Sequence, residues 1–285
     1  MSTIIGLLVV IGSVLGGFAM SGGPLAVLFQ PNELVVIGGA AVGSLIVSAP
    51  GKVGKRVLAA LRRGFKVQNE TQQDYLDLLK LLYQLFQVVR REGLLALEGH
   101  VSDPASSSII SRYPSVMQRH HALTFLLEGL KQMVDGCTVD ELAQMFDAEL
   151  ETLHDQEHQP ITLMRTTSDA LPGLGIVAAV LGIIITMAHM DGPPEQIGHH
   201  VAAALVGTFL GILLCYGVLS PIAANVEIQA QSSTRYLTVI KNGLLAAARG
   251  ANPAVAIELA RRAIFTDERP SAEELEKEFQ SLRNG

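Results

Sequence analysis

The sequence predicts an all-α integral membrane protein: four transmembrane helices in a two-plus-two arrangement with a helical cytoplasmic domain. Three observations carry that expectation. Residues 166–234 contain no Lys or Arg, and within them lie the apolar runs Ala170–Ala188 and Val201–Val226. Each matches the roughly 20 residues a helix needs to cross about 30 Å of hydrocarbon. A second apolar pair fills residues 1–51, which also lack Lys and Arg. The composition agrees, with 49% hydrophobic and 17% charged residues, against about 25% charged in soluble domains. Mean hydropathy is +0.35.

The first span is read at about Thr3–Met20. No basic segment precedes it, and Ser21-Gly22-Gly23-Pro24 leads into more apolar sequence, which marks a retained helix rather than a cleaved signal. The second span, Leu34–Ala49, is short and bracketed by Pro31 and Pro50. The third and fourth are Ala170–Met190 and Val201–Val226, joined by the acidic loop Asp191-Gly192-Pro193-Pro194-Glu195. Lys52, Lys55, Arg56, Arg62, Arg63 and Lys66 follow span two, Arg165 precedes span three, and Arg235, Lys241 and Arg249 follow span four. The positive-inside rule puts all of them in the cytoplasm. The loops around Glu33 and at Asp191–His200 are then outside, and both termini are cytoplasmic. The chain divides into a transmembrane hairpin (1–50), a cytoplasmic helical domain (51–165), a second hairpin (166–226) and a cytoplasmic helical tail (227–285).

Both cytoplasmic segments read as helical. Tyr75, Leu78, Leu79, Leu82, Leu85, Phe86 and Val89 recur at helical spacing and form a broad apolar face. Thr138-Val139-Asp140-Glu141 is a capping box opening a helix that carries Leu142, Met145, Phe146 and Leu150. Ser271-Ala272-Glu273-Glu274 opens a last, charged helix after Pro270. With no strand pattern or internal repeat, the two segments are expected to fold together as one platform beneath the membrane. Arg90-Arg91-Glu92-Gly93-Leu94-Leu95-Ala96-Leu97-Glu98 ends its long helix with exposed charges of both signs. Such a run is either a solvated face or a docking surface whose charges set register.

The spans carry packing signals and few ionisable groups. Gly12 and Gly16, Gly39 and Gly43, and Gly207 and Gly211 form small-xxx-small pairs that let helices approach closely in lipid. No ionisable residue is placed near mid-bilayer: Asp169 is at the cytoplasmic entry of span three, and Glu33 and His189 at the outer edge. Because charged groups in lipid mark ion paths, a titrating carboxylate for such a path would have to come from another chain. Thr186, Thr208 and Tyr216 offer hydroxyls; Thr208 either lines a path or, more simply, bonds back to its own helix. Pro172 starts span three and Pro221 lies in the cytoplasmic half of span four. Each favours a kink, and a pair of kinks could act as a hinge.

Catalytic and cofactor chemistry find little support. His154-Asp155-Gln156-Glu157-His158 fits an H-x-x-E-H zinc pattern, with both histidines on one helical face. It sits in a polar segment before Gln159-Pro160, with no third ligand in view, and reads better as a solvated helix end. No nucleophile–base arrangement or phosphate loop is present. Cys137 and Cys215 lie in different surroundings and give no disulfide framework. The net charge of −6 is unevenly spread and says little about partners. No enzyme activity, cofactor, metal or nucleic-acid partner is expected.

Together these pieces resemble the MotA family, the larger stator subunits of the bacterial flagellar motor, within the MotA/TolQ/ExbB proton channel class. Leu171-Pro172-Gly173-Leu174-Gly175-Ile176-Val177-Ala178-Ala179 looks like the family's third-span signature, and Ala204–Gly211 running to Tyr216–Pro221 looks like its fourth. The resemblance covers nearly the whole chain. It implies an inner-membrane subunit that forms an ion channel with MotB and turns ion flow into torque. Five copies would surround two single-span MotB chains, whose aspartate binds the ion. Arg90 and Glu98 match the charged pair that meets the rotor protein FliG, with Arg91 an alternative to Arg90. Pro172 and Pro221 match prolines tied to torque generation. Ala179, Gly207, Thr208 and Tyr216 would line the ion path. Sodium-driven relatives carry threonines at the positions of Ala179 and Gly207, so two hydroxyls are missing and protons are the implied ion. The alternative is an ExbB/TolQ-like subunit energising outer-membrane transport, although those have three spans.

Overall fold

In lipid every backbone polar group needs an internal partner, and a chain of apolar runs without strand periodicity meets that need as helix. A computed structural model describes residues 2–66 and 70–284, and among them no strand occurs. The helices are α1 (Ser2–Met20), α2 (Leu25–Leu28), α3 (Pro31–Ser48), α4 (Gly51–Gly64), α5 (Gln72–Glu92), α6 (Glu98–Ser102) and α7 (Pro114–Met117). They continue with α8 (His120–Val134), α9 (Val139–Ala188), α10 (Pro194–Ile212), α11 (Ser220–Ala248), α12 (Pro253–Arg261) and α13 (Ala272–Asn284). Among the described residues, four stretches are long and apolar enough to cross a membrane: Thr3–Met20, Leu25–Ser48, Val139–Ala188 and Pro194–Ala248. The chain forms two compact units, one from Met1–Gln68 and Gln156–Gln229, the other from Asn69–Asp155 and Ala230–Gly285.

In the first unit, α9 and α10 pack antiparallel at glycine contacts. A Cβ on Gly211 would lie 2.6 Å from the Leu171 carbonyl oxygen and 2.9 Å from Gly175 Cα, and one on Gly175 would lie 2.8 Å from the Gly207 oxygen. Further along, a Cβ on Gly182 would meet that of Ala204 at 2.7 Å. Only missing side chains allow this approach, and dispersion between backbones takes over as the adhesive. Gly12, Gly16, Gly39 and Gly43 behave differently: a Cβ there meets nothing within 4 Å in this chain.

The prolines act as physics requires, but not alike. Helix α9 runs unbroken through Pro160 and Pro172. Before Pro221 the ladder loosens into a π-helical stretch, Leu213–Leu219, whose last bond runs from Ser220 N–H to the Cys215 carbonyl. Pro221 has no N–H for the carbonyl of Gly217 and its ring crowds that turn, so a wider turn is the relief. Ser168, fully buried on α9, donates to the Cys215 carbonyl at 3.3 Å and lies 2.8 Å from Ser220 Oγ.

Helix α4 closes against α11. Asn225 Nδ2 donates to the Gly64 carbonyl at 2.8 Å and to Thr3 Oγ1 at 3.0 Å, while Gln229 Nε2 donates to the Lys66 carbonyl at 2.8 Å. These amides satisfy carbonyls that a helix end leaves without partners. Arg63 on α4 pairs with Glu157 on α9 at 3.1 Å.

The second unit has a large apolar core. Tyr75, Leu78, Leu79, Leu82, Leu85 and Phe86 of α5 are buried as their spacing predicts, with Val89 packed at the margin. Leu142 and Phe146 enter the same core, whereas Met145 is 41% exposed, because the inward face of α9 follows 142 and 146. The Thr138 box is complete: Glu141 N–H donates to Thr138 Oγ1 at 3.3 Å and Thr138 N–H to Glu141 Oε2 at 3.0 Å. Ser271 accepts from Glu274 N–H at 3.1 Å. Helix α13 docks on α5 through Phe279 stacked on Tyr83, centroids 4.0 Å apart, and Glu278 paired with Lys80 at 2.8 Å.

Candidate functional site: an intramembrane glycine crossing and an exposed charged turn

Two regions collect the residues singled out in the sequence. The first is the α9–α10 crossing. A Cβ on Gly207 would lie 3.1 Å from Ala178 Cβ and 3.2 Å from Ala179 N, so Ala179 and Gly207 are brought together. Thr208 is the next residue, its Cα 3.3 Å from where a Gly175 Cβ would stand. Among the described residues its hydroxyl has no hydrogen-bond partner, unlike Thr186, which donates back to the Gly182 carbonyl at 2.8 Å. The simpler expectation of back-bonding at Thr208 is therefore not met. Tyr216 is 68% exposed on the π-helical stretch and is not drawn into the crossing. On the uncovered side of α9, Ile176, Ala179, Val180, Ile183, Ile184 and Met187 line an open apolar groove of about 360 Å³.

Glu33, read as an outer-edge residue, is buried within the chain. It lies in the first turn of α3, yet it is only 9% exposed, and its Oε2 would be 2.8 Å from a Gly207 Cβ. Sequence position located its Cα well enough; a three-bond side chain then reaches into the space that glycine leaves open.

The second region is the end of α5. The helix stops at Glu92, earlier than the expected end at Glu98. Gly93 takes φ 86°, where a Cβ is strained, and its N–H closes on the Val89 carbonyl at 3.0 Å. A 3₁₀ turn follows over Leu94–Leu97, Leu97 is fully buried, and Glu98 starts α6. Arg90, Arg91, Glu92 and Glu98 are exposed, and none has an ion pair among the described residues. Leu95 between them is 73% exposed.

A buried polar cluster in the second unit was not anticipated. Arg119 binds Asp74 at 2.8 Å, approaches Glu70 at 3.8 Å and lies 5.2 Å from the Tyr236 ring centroid. Glu70, 7% exposed, also accepts from Ser232. Asp74 is half of a capping box with Thr71 that opens α5. Burial pushes the Asp74 carboxyl up, but the bonds from Arg119 and Thr71 outweigh it and hold it below the usual carboxylate range. The T-x-x-D spacing was the available signal. In the zinc-like string, Glu157, its would-be base, is paired with Arg63 at 3.1 Å.

Apolar helices of membrane-spanning length that cross at glycine, together with a second helical unit bearing exposed charges, define the class of multi-pass helical membrane proteins. Comparison with known proteins agrees. Residues 118–238 match the profile described as the MotA/TolQ/ExbB proton channel family, and residues 4–93 match the N-terminal profile of motility protein A. Motility protein A of Salmonella typhimurium is 38% identical over 285 residues, covering 100% of this chain and 97% of that protein. The Escherichia coli protein of the same name is 37% identical with the same coverage. The fold is similar to that in the structure of C. jejuni MotAB, at TM-score 0.80 and 21% identity over 95% of this chain and 98% of that one. The chain belongs to the motility protein A family and is a multi-pass protein of the inner membrane. Its full-length likeness is to motility proteins, so the outer-membrane-transport alternative is not favoured.

Proposed function

We propose that this chain is the larger stator subunit of a flagellar motor, forming with a MotB-like partner a proton channel that drives rotation. The single observation that carries the reading is the full-length identity to motility protein A, and the site geometry supplies a mechanism consistent with it. Both termini and the unit containing α5 to α8 lie in the cytoplasm, a reading supported by the Lys and Arg distribution. The uncovered groove on α9 and the outward-facing Gly12, Gly16, Gly39 and Gly43 are where further copies and the partner's span pack, as five copies around two partner chains.

In this reading a proton from outside binds an aspartate carboxylate of the partner beside Ala179, Gly207 and Thr208. Neutralising that carboxylate removes a charge from lipid-like surroundings and changes which helix face it prefers. With only one hydroxyl among the three positions, the path lacks the oxygens that a sodium shell requires. About 2.3 kcal/mol per 100 mV is available from the electrical part of the gradient. Tyr216 lines the cytoplasmic part of the path. Pro172 and Pro221 shape the helices that transmit movement: one is carried inside α9, the other sets the π-helical stretch. The exposed charges Arg90, Arg91 and Glu98 then pass complementary charges on FliG. They stand free of internal ion pairs among the described residues, as a docking surface needs.

Arg90→Glu is expected to lower torque at least severalfold without lowering membrane abundance, and a compensating charge reversal on the rotor should restore part of it. Torque unchanged in both Arg90→Glu and Arg91→Glu would remove docking from the account.

A further inference from the structure

Glu33 is a carboxylate that this chain places inside the membrane bundle for no structural return. Its Oε2 is buried and has no hydrogen-bond partner among the described residues. A structural carboxylate is normally paired, because an unpaired buried charge loses several kcal/mol of hydration. No pairing is on offer nearby. Glu33 is the only titratable residue of α3. The titratable groups of α10, which packs on α3, are Glu195, His199 and His200. Those of α4, which follows α3, are Lys52, Lys55, Arg56, Arg62 and Arg63. On the apolar part of α9 the nearest are Asp169 and, just past its end, His189. None forms an ion pair or hydrogen bond with Glu33 among the described residues.

What Glu33 does meet is the crossing. Its Oε2 occupies the space that a Gly207 side chain would take, at the point where Gly207 faces Ala178 and Ala179. Any side chain at 207 would evict it, since even a Cβ would stand 2.8 Å from Oε2. Seven residues earlier on α10, two turns along the same face, stands the half-buried His200, stacked 5.9 Å from His189 at the loop end. Ionisable groups thus mark the stretch from the Asp191–Glu195 loop to the place where a partner carboxylate would sit.

We propose that Glu33 is a proton way-station of this chain, a second carboxylate in series with the one on the partner. Hydronium from the outer side gives its proton to the Glu33 carboxylate and leaves as water. The Glu33 acid then passes that proton to the partner's carboxylate and returns to its ionised form. Each cycle moves one proton inward and consumes nothing else. This rests on the channel reading above and deepens it.

The test uses a strain deleted for this gene and complemented with the wild type, Glu33→Gln or Glu33→Asp. Rotation at low load is followed between outer pH 6 and 8, with membrane abundance as control. Glu33→Gln keeps the shape and removes the proton site. Its low-load speed should fall at least about tenfold, and its remaining speed should drop about tenfold per pH unit, as direct capture from hydronium requires. Glu33→Asp should recover much of the speed and the shallower profile. Wild-type speed and profile in Glu33→Gln would overturn the proposal. So would its loss from the membrane, because a role satisfied by nothing but a carboxylate's fold contribution is structural. Failure of the wild-type gene itself to restore rotation would instead strike the channel reading.

Discussion

Single residues show which sequence signals are physically complete. Thr138 and Glu141 satisfy each other's backbone donors within four residues, so the box was legible and the helix begins where it says. Asp74 has the same local bond to Thr71 but owes its position equally to Arg119, 45 residues later, which no local pattern announces. Ser168, and the burial of Glu33 over Gly207, went unread for a related reason: each acts on a helix that is distant in sequence. The Asp74 geometry gives a signed pH effect. Its folded value lies below the unfolded one of about 3.9, so its contribution is complete above that pH and is lost as pH falls through the folded value. Asp74→Asn should therefore lower the melting temperature of the detergent-solubilised protein at pH 7, at a cost of about 2 kcal/mol. The difference from wild type should shrink toward pH 3.5. A gap that stays constant from pH 7 to 3.5 would mean the carboxylate charge contributes nothing.

At the scale of elements, hydropathy placed the spans but not their limits. The helix holding span two begins at Pro31, before Leu34, and the helix holding span four starts at Pro194 and is resumed by α11 as far as Ala248. Apolar length reports where lipid contact ends, whereas helix ends are set by capping and by packing beyond the membrane. The end of α5 was misplaced because Leu94–Leu97 keeps helical composition; only Gly93, at φ 86°, betrays the break. The three glycine pairs looked equivalent in sequence, yet only Gly207 and Gly211 meet another helix of this chain. The contrast is testable. Gly211→Ala drives a methyl into the α9 backbone and should destabilise the protein by about 1–3 kcal/mol. Gly43→Ala, in open space, should leave melting unchanged or raise it slightly. Equal melting of the two variants would deny the close crossing.

For the whole molecule, composition and charge distribution revealed a four-span helical membrane protein, and long strings in spans three and four revealed its family. What they could not reveal was the surroundings of the ion path, because contact between α3, α9 and α10 depends on three-dimensional packing rather than on period. The channel reading relies on the close crossing at Ala179 and Gly207 and on the exposed charges at Arg90 and Glu98, and it makes one demand that no other reading shares. Deleting the gene should leave cells with assembled filaments that do not rotate, and the intact gene should restore rotation. Tethered-cell rotation in that deletion strain is the decisive measurement. Paralysed, fully assembled flagella rescued by the gene are the predicted result; undiminished rotation in a host with no second stator set, or a defect in outer-membrane uptake instead, would contradict it.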